Sequence, residues 1–300
     1  MTTWDEDSVA TELLACEAER RDRVKFTDEW PELDVATGYR IQDETLRRRL
    51  ERGEKLIGVK LGLTSRAKQQ RMGVDTPFVA WLTDAMLLPA GDPIPQDKLI
   101  HPRVEPEIVF VMRDRLEGPG VSAATALAAV DVVLAGAEVI DSRYRDFKFT
   151  AGDVVADNAS SGAFVTGPVS IPPTDLDLAG DAVLVEVDGA IVDSATGAAV
   201  QGHPAEALAL AANDLATRGH AIEAGWIVLT GGMTDAVFAP PGASIACHFS
   251  TLGSVYLNGG PAPAAPAGTS QTGEGEVCRS CRSRSHRDAL PRCCAPSSTR

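Results

Sequence analysis

Three glutamates lie inside or directly beside two of the most apolar stretches of this chain. Glu105 and Glu107 lead into the apolar run at positions 108–112, and Glu138 is surrounded by Ala, Val and Ile. Apolar alternation and short length predict a β-strand in both places. A carboxylate in such surroundings is costly to bury unless it is paired with a positive group or bound to a metal. The fold therefore has to satisfy these three charges.

Glu105 and Glu107 are two positions apart, so in a strand both side chains project from the same face. Like charges at that distance destabilise each other unless something positive lies between them. Oxygen ligands favour a hard cation, Mg²⁺ or Mn²⁺. Glu138 would then complete one face of an octahedron, leaving three positions for water and a chelating substrate. The alternative is a polar strand face that contacts solvent.

Two further stretches combine polar side chains with glycine or apolar neighbours. Lys60 lies between Val and Leu in residues 58–65, which predicts a strand whose backbone approaches another group closely. This lysine is either catalytic or a surface residue whose ammonium reaches solvent. Residues 153–161 contain Asp157-Asn158 and two serines, and they form either a binding loop or a structural turn.

Composition excludes several functional classes. The chain has 300 residues, 44% of them hydrophobic, which predicts a globular protein of one or two domains. The formal net charge of -14 disfavours binding to nucleic acid. No apolar run is long enough for a membrane helix, and the first residues lack signal-peptide features, so we expect a cytoplasmic protein without membrane contact. Cys16 and Cys247 are then expected to be free thiols.

The order of predicted elements suggests three regions. Residues 1–75 form a helical N-terminal region, residues 76–258 a β-rich catalytic domain, and residues 259–300 a disordered tail. Helices are expected to begin near residues 8, 35, 66, 122 and 204, with Ser8 as the first N-cap. Asp188-Gly189 between two apolar runs predicts a β-hairpin.

The tail differs sharply in composition from the rest of the chain. Residues 259–270 are mainly Gly, Pro and Ala, and the next thirty are rich in Arg, Ser and Cys. Such a segment cannot bury enough surface to offset its ordering entropy. A zinc site is the alternative, but the tail has almost no apolar residues to pack around a metal. Its ligands would be Cys278, Cys281, His286, Cys293 and Cys294.

Six motifs in this order resemble the 2-oxopent-4-enoate hydratase and 4-oxalocrotonate decarboxylase family, part of the fumarylacetoacetate hydrolase superfamily. The resemblance covers roughly residues 25–257. The motifs are GVKLGLTS at 58–65, LIHPRVEPEIVFV at 99–111, EVIDSRYRDFKF at 138–149, VVADNASS at 154–161, GHP at 202–204 and LTGGMT at 229–234.

The resemblance implies an α+β fold, in which a β-rich roll of mixed sheets carries a smaller helical N-terminal region. It also implies that the proposed metal ligands are those of the family, that Lys60 faces the substrate, and that Ser160 helps to hold the substrate carboxylate. Thr64 is expected to contact the substrate as well. Family members form homo-oligomers, and a complex with a hydratase of the same pathway is a further expectation. The family usually has Gly at the position of Ala80, so an added methyl group is expected to narrow the pocket.

Two reactions occur within this family, and the residues at 140–144 and 230–234 resemble the decarboxylase pattern. The expected reaction is the Mg²⁺-dependent loss of CO₂ from 2-oxohex-3-enedioate, a 2-oxo dicarboxylic acid, in aromatic meta-cleavage catabolism. Asp141 would either repel the departing carboxylate or orient Arg143 or Lys60. Arg143 would hold the distal carboxylate or pair with Asp141. The alternatives are a hydratase of the same family and a non-catalytic module that binds 2-oxo acids.

Overall fold

The computed structural model of the protein describes residues 4–262. Six α-helices lie within that range: α1 (Glu6–Glu19), α2 (Val35–Glu51), α3 (Arg66–Met72), α4 (Ala123–Ala128), α5 (Ala151–Ala156) and α6 (Pro204–Thr217). The same residues form eleven strands: β1 (Leu56–Gly62), β2 (Phe78–Thr83), β3 (Arg103–Met112), β4 (Val130–Ile140), β5 (Ser161–Ile171), β6 (Ala182–Val187), β7 (Ala190–Thr196), β8 (Ile227–Leu229), β9 (Val237–Phe238), β10 (Ser244–Phe249) and β11 (Gly253–Asn258).

The strands form two sheets that share one apolar core. The larger sheet has the order β2-β1-β8-β3-β4-β5, and β9 pairs with the start of β3. Only the β1–β8 pair is parallel among the described strands, so this sheet is mixed. The smaller sheet, β11-β10-β6-β7, is antiparallel. Its buried face packs with β3, β4 and α6 into a single cluster that includes Phe110, Val183 and Leu208.

Most of the predicted elements are present, with shifted ends. The helix predicted to begin at Ser8 begins at Glu6, because Asp5 is the N-cap and accepts a hydrogen bond from the Ser8 backbone N–H at 2.8 Å. Ser8 instead returns the second bond of a capping box. The hairpin at Asp188-Gly189 is confirmed, and both residues have the positive φ of a tight two-residue turn.

Residues 153–161 differ from the prediction, because they do not form one continuous loop. They begin inside α5, where the Asp153 carboxylate accepts bonds from the Thr150 backbone N–H and hydroxyl and so stabilises the first turn. A left-handed turn over Asn158–Ser160 follows, with φ between 47° and 59°. Strand β5 then starts at Ser161.

The predicted region boundaries also shift. Strand β1 lies within residues 1–75 and belongs to the larger sheet. Gly259 and Gly260 extend the fold past residue 258 by bonding to the backbone of Ala243 and Gly242. The cysteines proposed as zinc ligands lie outside the described residues. No helix between residues 4 and 262 has the length and apolar character needed to cross a membrane.

Candidate active site

The three predicted metal ligands lie together on one face of the larger sheet. In the β3–β4 ladder, Glu105 is directly opposite Glu138, and Glu107 lies two positions further along β3. One carboxylate oxygen from each of the three glutamates lies within 4.8 Å of the others. Glu107 and Glu138 are fully buried, whereas Glu105 retains slight exposure. The register therefore concentrates three carboxylates in a small buried volume.

The electrostatics of this cluster favour a bound cation. Burial, and next the charge of Glu138, raise the pKa of Glu107 well above its usual range. Burial likewise raises the pKa of Glu138, although the nearby Lys60 ammonium opposes the shift. The Gly231 backbone N–H donates to Glu107 Oε2 at 2.6 Å, but Oε1 of the same carboxylate is buried without a partner among the described residues. A hard divalent cation would satisfy that oxygen and reduce the repulsion, so the donor set fits Mg²⁺ or Mn²⁺.

Lys60 is a buried member of the site and not a surface lysine. It lies on β1 with 2% of its surface exposed, and its Nζ is 3.1 Å from Glu138 Oε1. The ammonium also donates to the carbonyl oxygen of Ala159 at 2.6 Å. Ala80 lies opposite Lys60 in the β1–β2 ladder and is fully buried. Since the Ala80 methyl group does not line the cavity described next, the predicted narrowing is not seen.

A cavity of about 160 Å³ opens beside Lys60 and Glu105. Predicted site residues Thr64 and Ser160 line it, together with three aromatic side chains. The full lining consists of Lys60, Leu61, Gly62, Leu63, Thr64, Lys68, Phe78, Glu105, Ile140, Phe147, Phe149, Val154, Ala159, Ser160 and Gly232. A few polar groups at one end of an apolar cavity is the arrangement expected for a small organic acid.

Backbone strain is concentrated around this cavity. Nine non-glycine residues with positive φ occur in the described range, and four of them line it: Leu63, Phe147, Ala159 and Ser160. Such conformations cost about 1–3 kcal/mol each and occur mainly where function requires a fixed geometry. Ser160 Oγ is also buried without a hydrogen-bond partner among the described residues. Its hydroxyl is therefore free to bind a ligand.

Arg143 does not occupy either of its predicted positions. Its guanidinium is buried and pairs with the Asp157 carboxylate, and it donates to the backbone carbonyls of Asp157 at 2.6 Å and Ser161 at 3.1 Å. Its partner is therefore neither Asp141 nor a group in the cavity. The pair ties the end of β4 to the left-handed turn that carries Ser160. Asp157-Asn158 is accordingly a structural turn, since the Asn158 side chain also bonds to both backbone groups of Trp81.

Asp141 also lies away from the cavity, and the reason is strand alternation. Glu138 and Ile140 face the site, so the following side chain points to the opposite side. The Asp141 carboxylate accepts hydrogen bonds from the backbone N–H groups of Ile100 at 2.9 Å and His101 at 2.8 Å. This position agrees with neither of its predicted roles, which were to repel the departing carboxylate or to orient Arg143 or Lys60. Its role in this structure is to fix the segment that enters β3.

Sequence reasoning missed several residues of the site. Lys68 on α3 lines the cavity, and its Nζ is 3.2 Å from Glu105 Oε1. The adjacent glycines 231 and 232 allow the backbone to approach the carboxylates, since a Cβ at Gly232 would lie 2.7 Å from Glu105 Cδ. The double glycine in residues 229–234 could have indicated this approach. The GHP motif is structural, because His203 Nδ1 accepts from Ala205 N and caps α6.

Comparisons with known proteins identify the family of the chain. The family model described as fumarylacetoacetate (FAA) hydrolase C-terminal matches residues 55–257. A 4-oxalocrotonate decarboxylase from Pseudomonas putida is 44% identical over 248 residues, which cover 83% of this chain and 94% of that protein. A 2-hydroxypent-2,4-dienoate hydratase from Pseudomonas putida is 40% identical over 210 residues, covering 70% and 95%.

A solved structure extends the agreement to three dimensions. The 4-oxalocrotonate decarboxylase from Pseudomonas putida G7, complexed with magnesium and adipate, aligns with a TM-score of 0.82 at 42% identity. The alignment covers 86% of this chain and 99% of that one. The predicted α+β fold is confirmed. The chain therefore belongs to the fumarylacetoacetate hydrolase superfamily, in the family that contains the 4-oxalocrotonate decarboxylases and the 2-hydroxypentadienoate hydratases.

Proposed function

We propose that this protein is a metal-dependent carboxy-lyase that decarboxylates 4-oxalocrotonate, which is 2-oxohex-3-enedioate, in aromatic meta-cleavage catabolism. The products are CO₂ and 2-hydroxypenta-2,4-dienoate or its keto form, 2-oxopent-4-enoate. The observation that carries the proposal is the cluster of three buried carboxylates beside Lys60 at one end of an aromatic cavity. The similarity to decarboxylases over most of the chain supports the choice of reaction.

Glu105, Glu107 and Glu138 would hold the divalent cation, with Mg²⁺ as the first choice and Mn²⁺ as the second. When bound, the cation supplies positive charge next to the 2-oxo oxygen, where negative charge develops in the transition state. The related decarboxylase is complexed with magnesium, which supports the choice of metal. It is also complexed with adipate, which is a dicarboxylic acid like the proposed substrate.

The side chains around the cavity would bind the substrate and stabilise the charge that develops as CO₂ leaves. The bond between C5 and C6 breaks, CO₂ leaves, and the electron pair moves through the C3=C4 double bond to the 2-oxo oxygen. Lys60, buried beside Glu138, is placed to stabilise that oxygen and to donate the proton that it takes up. Ser160 Oγ and Thr64 would bind the substrate carboxylate next to the 2-oxo group. Phe78, Phe147 and Phe149 line the cavity, where they would surround the carbon chain and limit the access of water.

Product analysis tests this reaction directly. The full-length chain with Mg²⁺ and 2-oxohex-3-enedioate should release one CO₂ per substrate and form the five-carbon dienoate, and both should stop when a chelator removes the metal. The similarity to a hydratase makes hydration the second candidate. Efficient addition of water to 2-hydroxypenta-2,4-dienoate without CO₂ from the six-carbon acid would favour the hydratase. Tight binding of both acids without turnover would favour a non-catalytic binding module.

We further propose that the chain forms a homo-oligomer, with a hydratase of the same pathway as a second partner. Leu184, Ile191 and Tyr256 share the outer face of the smaller sheet, and their exposed fractions are 45%, 54% and 65%. Apolar side chains grouped on one exposed face are typical of an interaction surface. Sedimentation velocity of the chain should give more than one copy per particle, and Tyr256→Lys should lower that number. A monomeric wild type at micromolar concentration would contradict the proposal.

A further inference from the structure

Arg103 projects from the same face of β3 as the candidate metal ligands. The β3–β4 ladder is regular from Arg103 to Val111, so side chains at 103, 105 and 107 share one face. Arg103 is directly opposite Ile140, which lines the cavity. It lies two residues before Glu105, on the same face of β3 as the Glu105–Glu138 pair. Arg103 is not itself a lining residue, but it lies beside the wall that Ile140 and Phe147 form, on the side away from Glu107.

The surroundings of Arg103 leave its charge unpaired. Its Cζ is 4.2 Å from the ring centroid of Phe147, an aromatic residue of the cavity wall. Within residues 4–262 it makes no ion pair, and its Nε is buried without a hydrogen-bond partner. The buried or nearly buried Arg23, Arg49 and Arg143 all pair with carboxylates. Arg103 is half-buried, and an unpaired guanidinium is unexpected in a chain with 42 acidic residues against 28 basic ones. Its buried Nε is left without an acceptor unless a ligand supplies one.

We propose that Arg103 binds the distal carboxylate of the dicarboxylate substrate and sets the preference for a diacid over a monoacid. This inference rests on the proposed function, which places the 2-oxo acid end at the three glutamates and Lys60. The distal carboxylate of a six-carbon diacid would then lie further along the cavity, where its negative charge needs a positively charged partner. A guanidinium can bind a carboxylate with two parallel hydrogen bonds.

Phe147 holds Arg103 ready for this contact. Its ring stacks under the guanidinium, which favours one orientation of the planar group. Asp146 and Phe147 both have positive φ, at 57° and 55°, so the ring is placed at the cavity by a strained backbone. Asp141 supports the same arrangement from behind, because it fixes the backbone of His101 at the entry to β3.

Lys68 is the competing cation, and its contacts make it the weaker candidate. Its Nζ already lies 3.2 Å from Glu105 Oε1, 3.3 Å from the Thr234 carbonyl oxygen and 3.5 Å from Asp235 Oδ1. Two hydrogen bonds and one ion pair therefore already engage the Lys68 ammonium. Arg103 has no such contacts with acidic groups in residues 4–262, so its charge is the one left for a substrate carboxylate.

Two probe acids isolate the distal carboxylate. In 2-oxoadipate and 2-oxohexanoate the 2-oxo acid end is identical, and only the first has a second carboxylate. Calorimetric titration with Mg²⁺ present should show that wild type prefers 2-oxoadipate. Arg103→Met keeps an unbranched apolar side chain and removes the charge, and it should weaken 2-oxoadipate binding about 10- to 100-fold, the range for a hydrogen-bonded charge. Binding of 2-oxohexanoate should change less than about 3-fold, which also shows that the variant is folded.

Matched variants decide between the candidates. Arg113→Met, at an exposed arginine paired with Asp114, should leave both affinities unchanged. Arg103→Lys should retain part of the preference, because it keeps the charge and loses the two-bond geometry. The proposal is overturned if wild type shows no preference, if Arg103→Met retains it, or if Lys68→Met alone removes it. The two proposals can also fail separately. If Arg103→Met loses the preference for the diacid but wild type releases no CO₂ from 2-oxohex-3-enedioate, the binding role of Arg103 is supported and the decarboxylase function is rejected.

Discussion

Glu107→Gln should abolish the response of the protein to Mg²⁺ and leave the metal-free fold at least as stable as wild type. Burial and the charge of Glu138 make an ionised Glu107 unfavourable without a cation. The neutral amide removes this repulsion, and its carbonyl oxygen can still accept the Gly231 N–H. A hard cation, however, binds an amide much more weakly than a carboxylate. We therefore expect thermal unfolding to show an unchanged or higher Tm without metal.

Adding Mg²⁺ should raise the stability of wild type but not that of Glu107→Gln. At a concentration 100 times its Kd, the metal should stabilise wild type by about 2.7 kcal/mol and the variant hardly at all. Decarboxylation by the variant should fall more than about 100-fold, beyond the loss usual for residues that only support a ligand. Glu117→Gln, at an exposed carboxylate paired with Arg115, is the control and should behave as wild type. Equal Mg²⁺ stabilisation of Glu107→Gln and wild type would show that the cation binds elsewhere.

Lys60→Met should reduce kcat strongly while changing Mg²⁺ affinity much less. The ammonium contacts Glu138 and the Ala159 carbonyl, and it has no lone pair for a metal when protonated. A proton donor placed at the reacting oxygen typically contributes about 10²–10⁴-fold to the rate. Methionine has a similar length and can fill the same buried space. We expect a loss of kcat in this range with a small change in KM, measured by steady-state CO₂ release.

The control for Lys60 is Lys55→Met, because Lys55 is exposed immediately before the same strand. It should retain wild-type kcat and KM. If Lys60→Met raised KM and left kcat unchanged, the lysine would only bind substrate and the proton would come from another group. Mg²⁺ binding by titration calorimetry shows that the three-carboxylate site is still assembled in the variant.

The sequence was sufficient to identify the carboxylate cluster, because an isolated Glu among apolar residues needs a compensating charge. The apolar neighbours of Lys60 predicted a strand but left its role open between a catalytic and a surface residue, and the expectation that it faces the substrate came from the family resemblance. The register that sets Glu105 opposite Glu138 could not be predicted, since it depends on how two strands separated by a loop and a short helix align. Local patterns describe which face a residue occupies, and long-range pairing decides which residues meet.

Arg143 and Asp141 show where this reasoning fails. Both are charged and close to Glu138 in sequence, so proximity suggested a shared role. Strand alternation turns Asp141 away, and the partner of Arg143 is supplied by Asp157 at the end of a helix that was not predicted. Strand β5 was also missed, because Gly162, Gly167 and a proline weaken its pattern. Arg103 was overlooked since its significance lies in lacking a partner, which only the tertiary structure reveals.

The position of β8 has consequences for how the protein acquires its structure. This three-residue strand is inserted between β1 and β3, although more than a hundred residues separate it from either in sequence. Until residues 227–229 have been synthesised, the edges of β1 and β3 that pair with β8 have unpaired backbone N–H and C=O groups. Unpaired strand edges can form hydrogen bonds with other chains. Closing the sheet requires a contact of very high sequence separation, which slows folding. We therefore expect Lys60 and the β3 glutamates to come together only after β8 has been synthesised, and we expect chains that end before β8 to depend most on chaperones.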